Sequence, residues 1–295
     1  MIESLECLPC LSRQATLTAR LSTDSAAKQQ AGLGEALMHL AMMEPATFPT
    51  IVAEDIQRTV SRHTGSADPY TDVRQRLTAA ALALLPALSR MKEEADDSWA
   101  VAIRIATAGN LLEEARDPAQ AGPAMEAAWQ ATTKGQLALD HGKAFRDAVS
   151  HANHIVFLAD NAGEVIWDRL LIELFGTSKV TLVVRRRPYL HDAQVEDLDL
   201  SSWILAPRVV AFDDPLPGHP MPERAHLLDQ LLAKADIVVA KGSDWPERLT
   251  GRVHAEKCFH LLAPSCRRTA SRFGVQPKSL VVVHAAALPS PLSPA

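Results

Sequence analysis

Five short β-branched runs in the second half of the chain limit the fold more than any other feature. They are HIVFLA (154–159), KVTLVV (179–184), RVVAF (208–212), DIVVA (236–240) and SLVVV (279–283). Continuous apolar runs of this length suit strands covered on both faces rather than strands with one wet face. Stretches of helical spacing separate them at 164–175, 193–200, 223–234 and 256–273, the last interrupted by Pro264. Strands alternating with helices make βαβ units, so residues 151–285 predict a three-layer α/β/α domain with a mostly parallel sheet. The Pro/Ser-rich end, 286–295, reads as a disordered tail.

The first 150 residues carry a different period. Between Asp68 and Glu94, apolar side chains recur at Val73, Leu77, Ala80, Leu84, Leu88 and Met91, in steps of three or four. Pro86 predicts a kink or a break there, because it removes a backbone donor. Further helices are expected over 98–114 and 121–149, with no strand-like alternation anywhere in this half. Residues 1–150 therefore predict an all-helical N-terminal domain.

Composition narrows the partners. Thirty Lys+Arg against 35 Asp+Glu leave a net charge of −5, which argues against electrostatic capture of nucleic acid or an anionic membrane. Only 5% of residues are aromatic, too few for base stacking along a strand. No apolar run approaches the ~18 residues of a membrane-spanning helix. The start, MIESLECLPC, lacks the basic and apolar regions of a secretory signal, and four cysteines do not make a disulfide scaffold. A reducing cytoplasm is the expected compartment; the oligomeric state stays open.

In open parallel sheets, ligands bind beyond the carboxyl ends of the strands. The first of these ends in DNAGE, Asp160 to Glu164, ahead of a helix. The second is followed by RRRPYLHD, closing on Asp192; the third ends in Asp213 and Asp214; the fourth meets Lys241 and Gly242. Taken singly, an Asp-Asn pair before a helix is a cap, Asp192 caps the next helix, and Lys-Gly is a turn. Together they describe a site for a hard cation and a phosphate. Asp160, Asn161 and Asp192 offer oxygen ligands of the kind Mg²⁺ or Mn²⁺ prefers. Gly163 allows close backbone approach, the following helix aims free N–H groups at an anion, and Lys241 neutralises a phosphate oxygen. Glu164 is placed to handle a proton or a metal-bound water.

The ordered motifs resemble the metal-dependent damage-control phosphatase family, also known as domain of unknown function 89 and as acidic-residue methyltransferase-like. FLADNAGEVIWDRLLIELF resembles its signature loop, with a further acid at Asp168. RRRPYLHDAQVEDL resembles the second block, with Pro188, Asp192 and Asp197. DIVVAKGSDWPERL resembles the third, with Lys241, Gly242 and Glu247, and CFHLLAPSCRRTASRF resembles the closing one. ECLPCLSRQA, GSADPYTDVRQR and IRIATAGNLLEEA resemble the subfamily with an N-terminal Cys-x-x-C. The likeness runs from about Cys7 to Val283. It implies a phosphatase of small phosphorylated metabolites that needs a divalent metal (Mn, Mg, Co or Ni) held by Asp160, Asn161 and Asp192. It implies phosphate contacts from the backbone at Ala162 and Gly163, from Glu164, and from Lys241 with Gly242. The expected catalytic set is therefore Asp160, Glu164 and Lys241.

Several positions depart from the family pattern. Trp245 stands for an Asn, His191 for an Asn, Ser265 for a Lys and Glu113 for an Asp, and FDDPLPGHP replaces a stretch rich in Gly, Ser and Thr. These departures frame a second reading, a family member that binds metal and a small ligand without turnover. A third, a transferase using S-adenosylmethionine, wants a glycine-rich loop that LADNAGE lacks. For Cys7 and Cys10, packing ranks first, a redox pair second and zinc last. Arg185 to Arg187 read as a solvated rim that steers anions.

Overall fold

The computed structural model describes residues 5–43, 48–213 and 227–288. Asp214, the start of the helix expected over 223–234, and most of the expected tail lie outside the described residues. Along the chain run α1 (Cys7–Ser22), α2 (Ala26–Ala41), α3 (Pro49–Thr64), α4 (Thr71–Glu93), α5 (Ser98–Gly109) and α6 (Ala121–Lys134). Then come β1 (Leu137–Asp140), α7 (Gly142–His151), β2 (Ile155–Leu158), α8 (Ala162–Phe175), β3 (Val180–Arg185) and β4 (Arg208–Phe212). The chain closes with α9 (Leu227–Lys234), β5 (Ile237–Lys241), α10 (Trp245–Arg248), β6 (Cys258–Leu262), α11 (Arg267–Arg272) and β7 (Leu280–His284).

The sheet order is β1-β7-β6-β5-β2-β3-β4. Neighbours from β6 across to β4 pair parallel; β7 runs antiparallel to β6, and β1 runs parallel to β7. Side chains alternate between the faces, and both faces are covered. Phe157, Leu182, Val184 and Val239 pack under Ala102, Ile103 and Ala106 of α5, Phe145 of α7 and Leu171 of α8. Val156, Leu158, Val183 and Val238 pack on the other face against Leu228 and Leu232 of α9 and Trp245 of α10. That double cover explains why the sequence shows unbroken apolar runs instead of alternation.

Outside this sandwich, α4, α5 and α6 share a cluster with Ile166, Trp167 and Leu170 of α8. A separate cluster of α1, α2 and α3 takes in Tyr189 and Leu190 from the loop after β3. Gly163 makes the α4–α8 approach possible: a Cβ there would stand 3.0 Å from the Leu77 carbonyl oxygen. The close approach inferred for this glycine therefore serves helix packing.

The structure corrects several local expectations. The helix expected over 121–149 is split by β1, an edge strand too short for its alternation to stand out. The helix expected over 256–273 is mostly β6 followed by the six-residue α11. CFHLL is a short apolar run whose period fits either structure, and pairing with β5 and β7 decides it. The stretch 193–200 holds a single 3₁₀ turn, Val195–Asp197, and a second, Leu200–Ser202, starts at its end, instead of a helix. Pro86 lies inside α4 without ending it.

His260, on β6, is buried, and burial lowers its pKa to about 4, with the His284 charge acting in the same direction. A histidine that stays neutral when folded contributes stability above its unfolded pKa of about 6.5. That contribution is lost as pH falls towards 4. Between pH 7 and 4.5 the loss is about 2–3 kcal/mol. A His260→Gln variant is expected to lose less stability over that interval in urea titrations. Parallel losses in parent and variant would rule the assignment out.

Candidate functional site

β2 lies between β5 and β3, and the chain proceeds from it to opposite sides of the sheet, so its carboxyl end is a topological switch point. Asp160 and Asn161 leave β2 there. The loop after β3 returns to the same place, and an antiparallel bridge pairs Asn161 with Asp192. Asp160, Asn161 and Asp192 line one cleft of about 140 Å³. Its other walls come from α1, α3, the turn after α5 and the start of α11, including Gln14, Thr50, Glu113, Arg116, Ser265 and Arg268.

The carboxylates are held from behind by amides. Asn110 Nδ2 donates to Asp160 Oδ2 (2.9 Å) and to Glu164 Oε2 (3.2 Å), and Asn161 Nδ2 donates to the same two oxygens at 2.8 and 2.9 Å. Asn110 Oδ1 in turn accepts from the Ala263 N–H (2.8 Å), which fixes the amide to the end of β6. Gly242, with φ +84°, passes directly beside the Asp160 carboxylate, where any Cβ would collide with it.

Lys241 sits deeper. It exposes no surface, and neither do Glu164 and Asp168. Its ammonium donates to Glu164 Oε1 (2.5 Å) and to the Ala106 carbonyl (2.6 Å), and it lies 2.9 Å from Asp168 Oδ1. The i,i+4 spacing of Glu164 and Asp168 on α8 places both acids on the face that meets this ammonium. Burial pulls the Lys241 pKa down, but Asp168 and Glu164 outweigh it and leave it at about 12. Burial lifts Asp168 to about 7 even though Lys241 opposes it.

The acids around the cleft floor reinforce one another's negative field. Burial holds the Asp160 carboxyl well above its usual range, and Glu164, Asp192, Glu113 and Asp244 push the same way. Asp192 is raised to about 6, by burial against the opposing Arg185 guanidinium, whose Nε donates to it at 2.9 Å. Burial lowers the His191 ring to about 3, so it is neutral, with Nε2 3.4 Å from the Leu112 carbonyl.

Among the described residues, no three His, Cys, Asp or Glu side chains gather closely enough to hold a metal ion. The amide oxygen of Asn161 must therefore complete any such set. Both Asn161 amide protons point at carboxylates, and its Oδ1 accepts no hydrogen bond among the described residues. One buried and one partly exposed carboxylate plus one free amide oxygen, crowded by like charges, fit a hard divalent cation that keeps waters in its other positions.

Several expected roles are placed differently. Lys241 is turned inward, with its ammonium spent on Glu164, Asp168 and Ala106 instead of facing the cleft, because those acids are its only way to stay charged without water. Glu164 shares that burial, and the Ala162 N–H donates to the His191 carbonyl. Arg185 is no solvated rim residue: it pairs with Asp192 and with Glu54 of α3 (3.2 Å) and stacks on Tyr189 at 5.0 Å. Arg248 also donates to Glu54, so α3 is tied to the sheet edge through one carboxylate. Arg186 and Arg187 do lie exposed. Trp245 packs into the sheet core and donates from Nε1 to the Ala159 carbonyl (3.0 Å). Cys7, Cys10 and Cys266 are free thiols that all line the cleft.

The sequence reading missed Asn110 as a functional group and Arg116 entirely. Both lie on the single 3₁₀ segment Asn110–Arg116, where every third residue shares a face. The signal was the polar spacing Asn110, Glu113, Arg116 after an otherwise apolar helix.

Comparisons with known proteins agree with this architecture. A 28% identical damage-control phosphatase from Archaeoglobus fulgidus matches over 93% of this chain and 96% of its own length. A damage-control phosphatase from Pyrococcus horikoshii is 24% identical, with 95% and 96% covered. An uncharacterized protein from Methanocaldococcus jannaschii is also 24% identical, with 92% and 91% covered. The crystal structure of a DUF89 family protein from P. horikoshii has the same fold, with a TM-score of 0.79 at 22% identity over 95% of this chain and 98% of that one. The damage-control phosphatase ARMT1-like domain spans residues 4–281, from α1 into β7, and the chain belongs to that family.

Proposed function

We propose that this protein is a divalent-cation-dependent phosphatase acting on a small phosphorylated metabolite, a sugar phosphate or a damaged phosphometabolite. The observation that carries the reading is the oxygen-donor trio Asp160, Asn161 and Asp192, brought from two strand ends to one cleft floor. Two relatives named damage-control phosphatases support it. A cleft of about 140 Å³ with Gln14, Thr50, Ser243, Ser265 and Thr269 on its walls suits a small hydroxylated body.

Asp160, Asn161 and Asp192 would hold the cation, Mg²⁺, Mn²⁺, Co²⁺ or Ni²⁺. When bound, it supplies Lewis acidity that offsets charge on the phosphoryl oxygens. Phosphoryl transfer through a loose transition state asks the protein mainly for positioning and electrostatics. Asn110 and Asn161 fix the carboxylates, and Lys241 anchors Glu164 and Asp168 beneath them. Arg116 stands on the cleft wall as a cation facing the anionic substrate. Lys241 acts in this scheme as a positioning residue, since its ammonium has no free proton to give a phosphate.

The test is phosphate release from sugar phosphates and p-nitrophenyl phosphate. Metal-stripped protein is supplied with each cation in turn, with Asp160→Ala as control. Metal-dependent release that disappears in the control is the expected result. No release from any substrate, with cation binding still measurable, would move the protein to a binding role.

A further inference from the structure

Glu113 lies in this cleft with no task in the scheme above. It occupies the middle rung of the 3₁₀ segment, three residues beyond Asn110, whose amide holds Asp160, and three before Arg116. In a 3₁₀ helix such residues eclipse one another, so the turn that fixes the cleft floor also carries Glu113 above it. Two hydroxyls orient its carboxyl: Ser265 Oγ donates to Oε1 (3.3 Å) and Ser243 Oγ to Oε2 (3.4 Å). Arg116 Nη1 stands 3.9 Å from Oε1, beyond hydrogen-bond reach. The carboxyl is thus aimed from three sides without being locked into a close ion pair.

We propose that Glu113 is the catalytic acid of this site, protonating the leaving oxygen of the phosphate ester. The inference rests on the phosphatase reading. As the bond from phosphorus to the ester oxygen breaks, a water oxygen bonds to phosphorus and the Glu113 proton passes to the departing oxygen. An alcohol leaves, one proton of the attacking water stays on the hydrogen phosphate while the other passes to solvent, and Glu113 regains a proton from solvent. Sugar and other alkyl esters need this proton, because an alkoxide is a poor leaving group; p-nitrophenolate leaves without it.

Other candidates on the cleft wall are less suited. His191 is neutral and bonded to backbone, and Asp160 and Asp192 belong to the cation. Asp244 lies on the same wall and pairs with Arg248 at 3.8 Å. Burial supports the assignment by raising the Glu113 pKa; Arg116 opposes it, Asp244 and Glu164 add to it, and the value settles at about 7.

The residue that stands where a lysine is expected also gains a purpose. Ser265 donates to Glu113, whereas a lysine there would form an ion pair with the carboxylate and hold it ionised. The two departures from the family pattern, Glu113 and Ser265, thus belong to one local arrangement.

The experiment compares kcat for a sugar phosphate and for p-nitrophenyl phosphate in the parent and in Glu113→Gln, at saturating Mn²⁺. The variant is expected to lose about 100-fold or more on the sugar phosphate and less than about 10-fold on the aryl ester. Equal losses on both substrates would overturn the assignment and make Glu113 a binding or packing group. Should Glu113→Gln fail to fold, the double variant Ser243→Ala, Ser265→Ala removes the hydroxyls that aim the carboxyl. It is expected to show the same selective loss on a smaller scale, and equal losses there overturn the assignment as well. Absence of release by the parent on both substrates would instead remove the phosphatase reading, and this inference with it.

Discussion

Replacing Asp160 by asparagine is expected to lower turnover at least ~100-fold while leaving the metal-free protein as stable as the parent, or more stable. The first effect follows from removing a cation ligand, since a single well-placed charge in such a site is commonly worth ~3–4 kcal/mol. The second follows from the electrostatics of the floor itself, where burial, Glu164, Asp192, Glu113 and Asp244 all oppose ionisation of Asp160. Deleting that charge relieves the repulsion. Cation binding normally reverses this balance. At a cation concentration of 100 Kd, the parent gains about 2.7 kcal/mol. For a chain of 295 residues that raises Tm by roughly 4–5 °C. The measurement is a pair of melting curves, in chelator and in Mn²⁺, beside the rate assay. The parent should show the rise and Asp160→Asn should not; a variant that melts higher in Mn²⁺ to the same extent would place the cation elsewhere.

Lys241→Met is expected to destabilise the fold by about 3–5 kcal/mol, the cost of removing one partner from a buried ion pair. Methionine fills the space, so the loss is electrostatic. Glu164 and Asp168 would face each other with no ammonium between them, and the Ala106 carbonyl would lose its donor. The sign with pH is specific. Without Lys241, Asp168 loses the one charge that opposes its burial and titrates higher than in the parent, so the folded variant keeps a proton that the unfolded chain releases. Its deficit is therefore smallest near pH 5 and grows as pH rises through about 7, where Asp168 of the folded parent ionises. Urea unfolding at pH 5 and pH 8 tests this, and a deficit independent of pH would refute the buried triad as its cause. Because the triad underlies Asp160, activity should fall as well, through a poorly positioned floor.

The sheet was largely legible in the sequence. All five β-branched runs are strands, and each ends where its polar residues begin, because a doubly covered strand leaves a continuous apolar signature and its carboxyl end meets water. That alone brought Asp160, Asp192 and Lys241 to one edge. β1 and β6 were not legible. Leu137–Asp140 alternates for only four residues, and Cys258–Leu262 is apolar without a period, so only pairing partners more than a hundred residues away or across the sheet identify them.

The chain by itself determined the α/β class, the order of strands and helices around the site, and the presence of acid, amide and lysine at successive strand ends. These follow from local periodicity and from the rule that ligands gather beyond the carboxyl ends of parallel strands. The tertiary structure alone decided which way those groups face. Lys241 turned inward because Glu164 and Asp168 lie on the helix face beneath it, and Arg185 became buried because Glu54 of a distant helix meets it. Glu113 and Arg116 came to line the cleft on the same face as the buried Asn110 because a 3₁₀ segment stacks every third residue. A side chain's direction depends on the charges and packing surfaces that other segments bring to it, and those partners are remote in sequence.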